Sequence, residues 1–338
     1  MSRWIGTANH GFASYAMEEL RRLFKEIKLQ QLSSGEVFSF EVPEDREQVL
    51  TEIEDHEPIF LRHIQPVDHV ITFSEDTDDL EELVDIVRDA RKVFEGKRTA
   101  VHLRRVENSP FPYSAADTKA VVEAILIDIG SELSLQQPEQ ILSLYASKDS
   151  LLIGWGTPRE LLSDWPGGAV RFQREEGQIS RAKFKLLEAE RTFGINLAEH
   201  KRALDIGAAP GGWTSLLLDR GLDVTAIDPA ELHPSLVSNR RLTYLKKNAS
   251  EVKFSPNSFD LIVCDMSWSP MQMGKLVLDL SQALSSGGDA IVTIKLMHRK
   301  PLQTIRDVMQ KLQEVFIIRK AKQLFHNRDE ITLLLEKR

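Results

Sequence analysis

The stretch "ALDIGAAPGGWTSLLL" (203–218) decides how the second half of this chain folds. It reads as a short β-rich run, a glycine-rich turn and the start of a helix. Gly207, Ala209 and Gly212 fit the dinucleotide pattern G-x-G-x-x-G, with alanine in place of the middle glycine. Such a loop lets the backbone approach a ligand closely, and the free N–H groups of the helix start face its anionic part. Asp228 ends the next β-rich run, 21 positions after Gly207, where a carboxylate can hold a ribose diol. NAD and S-adenosylmethionine (SAM) both satisfy this much. SAM has a ribose for Asp228 and an amino-acid carboxylate for the turn, but no pyrophosphate. Pro210 stiffens the loop and Trp213 adds bulk beside it, which suits a small zwitterion better. Gly207, Ala209, Pro210, Gly211, Gly212, Trp213 and Asp228 are therefore the cofactor-binding candidates of this segment.

Outward from the loop, β-rich runs recur at "DVTAID", "LTYLKK", "FDLIVCD", "DAIVTIKL", "VFIIRKAKQLF" and "EITLLLEK". Helical stretches such as "WTSLLLDRG" and "MGKLVLDLSQAL" lie between several of them. This alternation predicts a doubly wound α/β sheet of Rossmann type, with ligands at the carboxyl ends of its strands. The last two runs are joined only by a few residues around "HNRD", too short for a parallel crossover, so they should pair antiparallel. Lys295, in "IVTIKLMHRKP" (291–301), stands near the far end of an apolar run. Alone it reads as a strand-end lysine that snorkels to water.

With 338 residues, two or three domains are expected. The first half mixes short helical and extended patterns, from "GFASYAMEELRRLFKEI" and "EVFSFEV" to "TAVHLRRV" and "LLIGWG", which is α+β in character. "GTPRELLSDWPGGAVRFQREEGQ" (156–178) is rich in proline, glycine and charge and marks a boundary. "SRAKFKLLEAERTFGI" then reads as a helix capped by Ser180. No apolar stretch is long enough for a membrane span, and the N-terminal residues lack a signal-peptide core, so a cytoplasmic protein is expected. The single cysteine, Cys264, excludes an internal disulfide and a multi-cysteine zinc site, and no metal is expected. Net charge is 43 − 51 = −8, against an indiscriminate nucleic-acid binder. The acid concentrates in 41–58 and 74–85, however, while bases gather in "HLRRV", "RFQRE", "SRAKFK" and "MHRKP". That segregation leaves room for a basic RNA-binding face.

"LDIGAAPGGWT" closely resembles the SAM loop of the FtsJ-like ribose 2′-O-methyltransferases, which act on RNA. The resemblance extends over residues 180–338. "SRAKFKL" is similar to the family's S-R-A-x-x-K-L element, which begins at Ser180 and places a lysine at Lys185. "VCDMSW" looks like the strand that ends in the family's catalytic aspartate, here Asp265; "TIKL" supplies Lys295 and "RDEIT" supplies Glu330. The resemblance thus implies a Lys185–Asp265–Lys295–Glu330 tetrad, SAM as cofactor, and a seven-stranded sheet with an antiparallel last strand. The residue that often contacts the adenine as an aspartate in the family is Asn248 here. The first half looks like a ferredoxin-like piece (1–60) followed by a THUMP domain, an RNA-binding module (61–160), and a linker (161–179). "HLRRVENSPFPYSAADTKAVVEAI" carries the THUMP likeness. Together the two parts resemble bacterial enzymes that methylate a cytidine ribose in large-subunit ribosomal RNA.

Strand order agrees with that likeness. Asp265 and Lys295 follow runs of one direction, and Glu330 opens a run of the other, so all three should meet at one sheet edge beside the glycine loop. Ribose methylation needs a hydroxyl that loses its proton, and a neutral lysine can take it. An ordinary lysine has a pKa of about 10.4; desolvation and a second cation lower it. Lys295 is the expected base, or a positioner with solvent as acceptor. Lys185 is the expected second cation, and Asp265 and Glu330 would orient the lysines and the ribose. Base N-methyltransferases carry Asn/Asp-Pro-Pro-Tyr/Phe where this chain has "DMSW", and Cys264 lies within an apolar run, which suits core rather than a C5-methylating nucleophile. A tRNA or other RNA substrate, and an inactive RNA-binding protein with this fold, stay open, as do monomer and homodimer. The expected RNA contacts are Arg104, Arg105, Arg171, Arg174, Arg299 and Lys300, with Phe111 and Tyr113 stacking on unpaired bases.

Overall fold

The computed structural model describes residues 1–338 except 74–77, 175 and 297–299. It divides into two compact units, Met1–Ala169 and Val170–Arg338, and the division falls inside the expected linker. No helix of the described residues is long and apolar enough to cross a membrane.

The first unit holds two sheets. Strands β1 (Ser2–Thr7), β2 (Lys28–Ser33), β3 (Val37–Val42) and β4 (His63–Pro66) pair in the order β2-β3-β1-β4. All three pairings are antiparallel. Helices α1 (Ala13–Leu23) and α2 (Arg46–His56) are inserted as β-α-β-β-α-β, the ferredoxin-like pattern. An Asp45–Gln48 capping box starts α2. Because β4 ends at Pro66, this sheet runs past the expected boundary at residue 60. The second sheet is mixed, in the order β5-β9-β8-β6-β7. Its strands are β5 (His69–Thr72), β6 (Arg98–Arg105), β7 (Glu132–Leu133), β8 (Gln140–Ala146) and β9 (Ser150–Gly156). Helices α3 (Asp78–Asp89), α4 (Arg91–Phe94) and α5 (Ala115–Asp128) accompany it. Leu83, Val87, Phe94, Val122 and Leu126 of these helices share a core with Val101, Leu142 and Ile153 of the strands.

The second unit is the doubly wound sheet. Its strands are β10 (Arg202–Ile206), β11 (Asp223–Ile227), β12 (Leu242–Leu245), β13 (Phe259–Cys264), β14 (Leu284–Lys295), β15 (Phe316–Lys322) and β16 (Glu330–Lys337). They lie in the order β12-β11-β10-β13-β14-β16-β15. The first five run parallel, and β16 is antiparallel to both β14 and β15. The helices are α6 (Ala182–Thr192), α7 (Gly212–Asp219), α8 (Pro234–Val237), α9 (Pro270–Leu280) and α10 (Pro301–Leu312). Alternation along β13 shows both faces covered: Leu261 and Val263 join Leu186 of α6 and Leu216 of α7 in one core, while Cys264 packs on Met273 of α9. Cys264 is thus buried core.

Candidate active site

Parallel strands end at one edge, and the chain places its reactive residues there. Gly207 follows β10, Asp228 follows β11, Asp265 follows β13, and Lys295 ends β14. Glu330 opens the antiparallel β16 and is the direct register partner of Lys295. A cleft of about 310 Å³ lies at this edge, at the small end of the usual range for ligand sites. Gly207, Ala209, Asp228, Asn248 and Asp265 line it, with Met266 and Trp268 on the wall after β13.

Two local features keep the cleft open. Gly207 has φ +77°, and a Cβ there would stand 2.4 Å from Met266 Cγ, so the position needs glycine. Asp228 ties loop to strand: Oδ2 accepts the Ala209 N–H at 3.0 Å and Oδ1 accepts the Ala230 N–H at 2.8 Å. Each oxygen keeps a lone pair for a ligand hydroxyl. The rest of the expected loop residues lie outside the cleft lining. Gly211, at φ +114°, lies against Leu236, and Gly212 lies against the Ser180 hydroxyl. Trp213 is buried in the core and its indole N–H donates to the Ala182 carbonyl at 2.8 Å. Pro210 is exposed and its carbonyl accepts the His233 N–H at 2.9 Å. None of these four lines the cleft. Ser180 is not the helix cap either. The cap position falls on Arg181, and the Ser180 hydroxyl is buried without a partner among the described residues.

Deeper in, three of the four expected tetrad residues touch. Lys185 Nζ donates to Asp265 Oδ1 at 3.2 Å and Oδ2 at 3.1 Å, and pairs closely with Glu330. Thr293, buried in β14, donates its hydroxyl to Asp265 Oδ1 at 2.8 Å. Burial works against the Lys185 charge, but the Asp265 and Glu330 carboxylates outweigh it and hold its pKa above the ordinary lysine value. Lys185 was expected as a second cation beside Lys295, with Asp265 and Glu330 orienting both lysines. In the structure one ammonium faces two carboxylates, a net charge of −1, because Asp265 and Glu330 converge on it rather than on both lysines. Lys295 itself is exposed, and among the described residues no side chain pairs with its ammonium.

Thr293 is a site residue that the sequence reading missed. Strand periodicity could have found it, since residues 293 and 295 share a face of β14. Asp205, also unread, lies beneath the loop at 1% exposure and accepts the Thr214 hydroxyl at 2.5 Å. Burial, with Asp265 and Asp228 nearby, pushes its pKa up to about 7 against the Thr214 bond.

The model of the FtsJ-like methyltransferase family matches residues 178–334. The matched residues cover most of the second unit. A protein of Halorhodospira halophila named ribosomal RNA large subunit methyltransferase M is 36% identical over 180 residues, covering 52% of this chain and 51% of its own. One of the same name from Laribacter hongkongensis is 28% identical over 208 residues, covering 56% and 57%. The chain spans about half the length of the curated relatives it matches. Among solved structures, TrmN from Thermus thermophilus aligns over 99% of this chain and 100% of its own, at 16% identity and a TM-score of 0.41.

Of the expected RNA contacts in the second unit, Arg171, Arg174 and Lys300 are exposed, and Arg299 lies outside the described residues. In the first unit Arg105 is exposed, whereas Arg104 and Phe111 need correcting. Arg104 turns inward: it donates to the Thr7 hydroxyl at 2.8 Å and lies over the Tyr145 ring at 5.5 Å. Burial is the main cause that pushes its pKa down to about 10. Arg105 braces its own loop through the carbonyls of Ser109, Phe111 and Tyr113. Phe111 is buried against Phe73 and Tyr113, so it is core rather than a stacking platform. Among the described residues no three His, Cys, Asp or Glu side chains are grouped to hold a metal ion.

Proposed function

We propose that this protein is a SAM-dependent methyltransferase that methylates a ribose 2′-hydroxyl of RNA, with large-subunit ribosomal RNA as substrate. The observation that carries the reading is the meeting of Lys185, Asp265 and Glu330, from three separate segments, beside the cleft at Gly207 and Asp228. The name shared by the relatives supports ribosomal RNA as the substrate class. In our reading the five-stranded sheet of the first unit is a THUMP-like RNA-binding module, and exposed Arg171, Arg174 and Lys300 contact phosphates, together with Arg299.

The residues present fit SAM. Gly207 opens the cradle, Asp228 offers lone pairs to a ribose diol, and the Asn248 amide on the cleft wall suits an adenine edge. Bound there, the cofactor supplies an electrophilic methyl on sulfur. Asp265, held by Lys185 and Thr293, fixes the side of the cleft next to β14. Lys295 stands exposed at the end of β14, and the ribose proton passes to its Nζ when that amine is neutral. Its exposure favours a second reading, in which solvent accepts the proton and Lys295 orients the ribose. Proximity then supplies much of the rate in either case. The test is methyl transfer from labelled SAM to unmodified ribosomal RNA by the wild type and by Lys295→Ala. The reading expects transfer that Lys295→Ala loses while SAM affinity is kept. Full activity in Lys295→Ala would remove that residue from the chemistry.

A further inference from the structure

The turn between β15 and β16 is docked onto α6 by a buried carboxylate. Glu188 is 3% exposed, and a buried carboxylate is costly unless hydrogen-bonded. Its Oε1 accepts the Phe325 N–H at 2.7 Å; its Oε2 accepts the His326 N–H at 2.9 Å and is 2.7 Å from His326 Nδ1. The His326 ring stacks on Phe172 and contacts Phe184. The turn is also braced internally. Asn327 Oδ1 accepts the Leu324 N–H at 2.8 Å and the Thr332 hydroxyl at 3.1 Å, and Gln323 donates to the Arg328 carbonyl at 3.0 Å. Leu296, just past Lys295, donates its N–H to the Asp329 carbonyl at 2.6 Å.

Glu188 stands three residues after Lys185, on the same stretch of α6 surface. Glu330, which Lys185 contacts, stands four residues after His326. One helix therefore grips the hairpin twice, through its turn and through the first residue of its last strand.

We propose that Glu188 is a positioning residue: by fixing the turn to α6 it makes Glu330 meet Lys185, and so sets the charges beside which the ribose is placed. The inference rests on the methyl-transfer reading for its kinetic consequence, and on geometry alone for its effect on Lys185.

Both are measurable on the full chain with Glu188→Gln. NMR of ¹⁵N-lysine-labelled protein follows the Lys185 ammonium without turnover, its signal assigned by its loss in Lys185→Met. In Glu188→Gln the Lys185 midpoint should fall toward that of an ordinary lysine. Loss of alignment should lower kcat about tenfold or more, while KM and calorimetric affinity for SAM stay within about twofold, because Gly207, Asp228 and Asn248 belong to other segments. His326→Phe keeps an aromatic ring and the backbone bonds but removes the Nδ1 contact, and should show the same pattern more weakly. If Glu188→Gln fails to fold, His326→Phe decides. An unchanged Lys185 midpoint and kcat, or SAM affinity falling in step with kcat, would overturn the proposal. If the wild type transfers no methyl to RNA, the functional reading fails, and the NMR arm still decides the role of Glu188.

Discussion

Lys185→Met tests the charge arrangement of the site most severely. The Lys185 side chain is 19% exposed and stands between the Asp265 and Glu330 carboxylates. Burial opposes its charge, yet the carboxylates raise its pKa above the ordinary value. A lysine of this kind adds stability that is fully present below about pH 10.4 and is lost as pH rises through its folded value. At pH 7 the contribution is therefore at full strength, and the substitution removes all of it. It also leaves two carboxylates facing each other. Both contacted one nitrogen, so their oxygens lie at most about 6 Å apart, and at an effective dielectric of about 20 their repulsion is about 3 kcal/mol. Urea unfolding at pH 7 should show a loss of stability, about 3 kcal/mol of which is this unopposed repulsion. Adding Glu330→Gln to Lys185→Met should recover most of it. A variant as stable as wild type at pH 7, or a deficit that Glu330→Gln leaves untouched, would refute the reasoning.

Further tests address the neighbours of this trio. Asp228→Ala removes the acceptor that holds the Ala209 N–H and the proposed diol contact, so SAM affinity measured by calorimetry should drop about tenfold or more; unchanged affinity would move the cofactor out of this cleft. Thr293→Val removes the buried hydroxyl that donates to Asp265 and should cost about 2 kcal/mol in urea unfolding, with kcat lowered and SAM affinity kept. Asp205 has a folded pKa of about 7, above its ordinary 3.8. Its carboxyl therefore disfavours the fold increasingly as pH rises from about 4 to 7. Unfolding of Asp205→Asn at both ends of that window should show a flatter pH dependence than wild type, and an identical slope would place the proton elsewhere.

Much of the second unit was legible because each of its elements carries its own signal. The glycine loop, the apolar runs ending in Asp228, Asp265 and Lys295, and the short link around "HNRD" together dictate a parallel sheet closed by an antiparallel strand. The convergence of Asp265 and Glu330 at one edge follows from strand direction alone. The partner of Lys185 did not follow, since the placement of a helix that precedes the sheet depends on tertiary packing. Trp213 misled because bulk beside a loop reads the same whether it faces a ligand or a core. In β6 the alternation of His102 and Arg104 with Val101 and Leu103 looks like a polar face. Yet His102 is buried and the Arg104 guanidinium is drawn to Thr7 and Tyr145, contacts made by strands distant in sequence.

A methyl group on a ribose oxygen and one on a base behave differently in alkali. Ribosomal RNA treated with the protein and labelled SAM, then hydrolysed in alkali, separates the two directly, because a 2′-O-methyl group blocks cleavage at its own nucleotide. Ribose methylation leaves the label in an alkali-stable dinucleotide. Label released in mononucleotides, or no label in RNA at all, would contradict it.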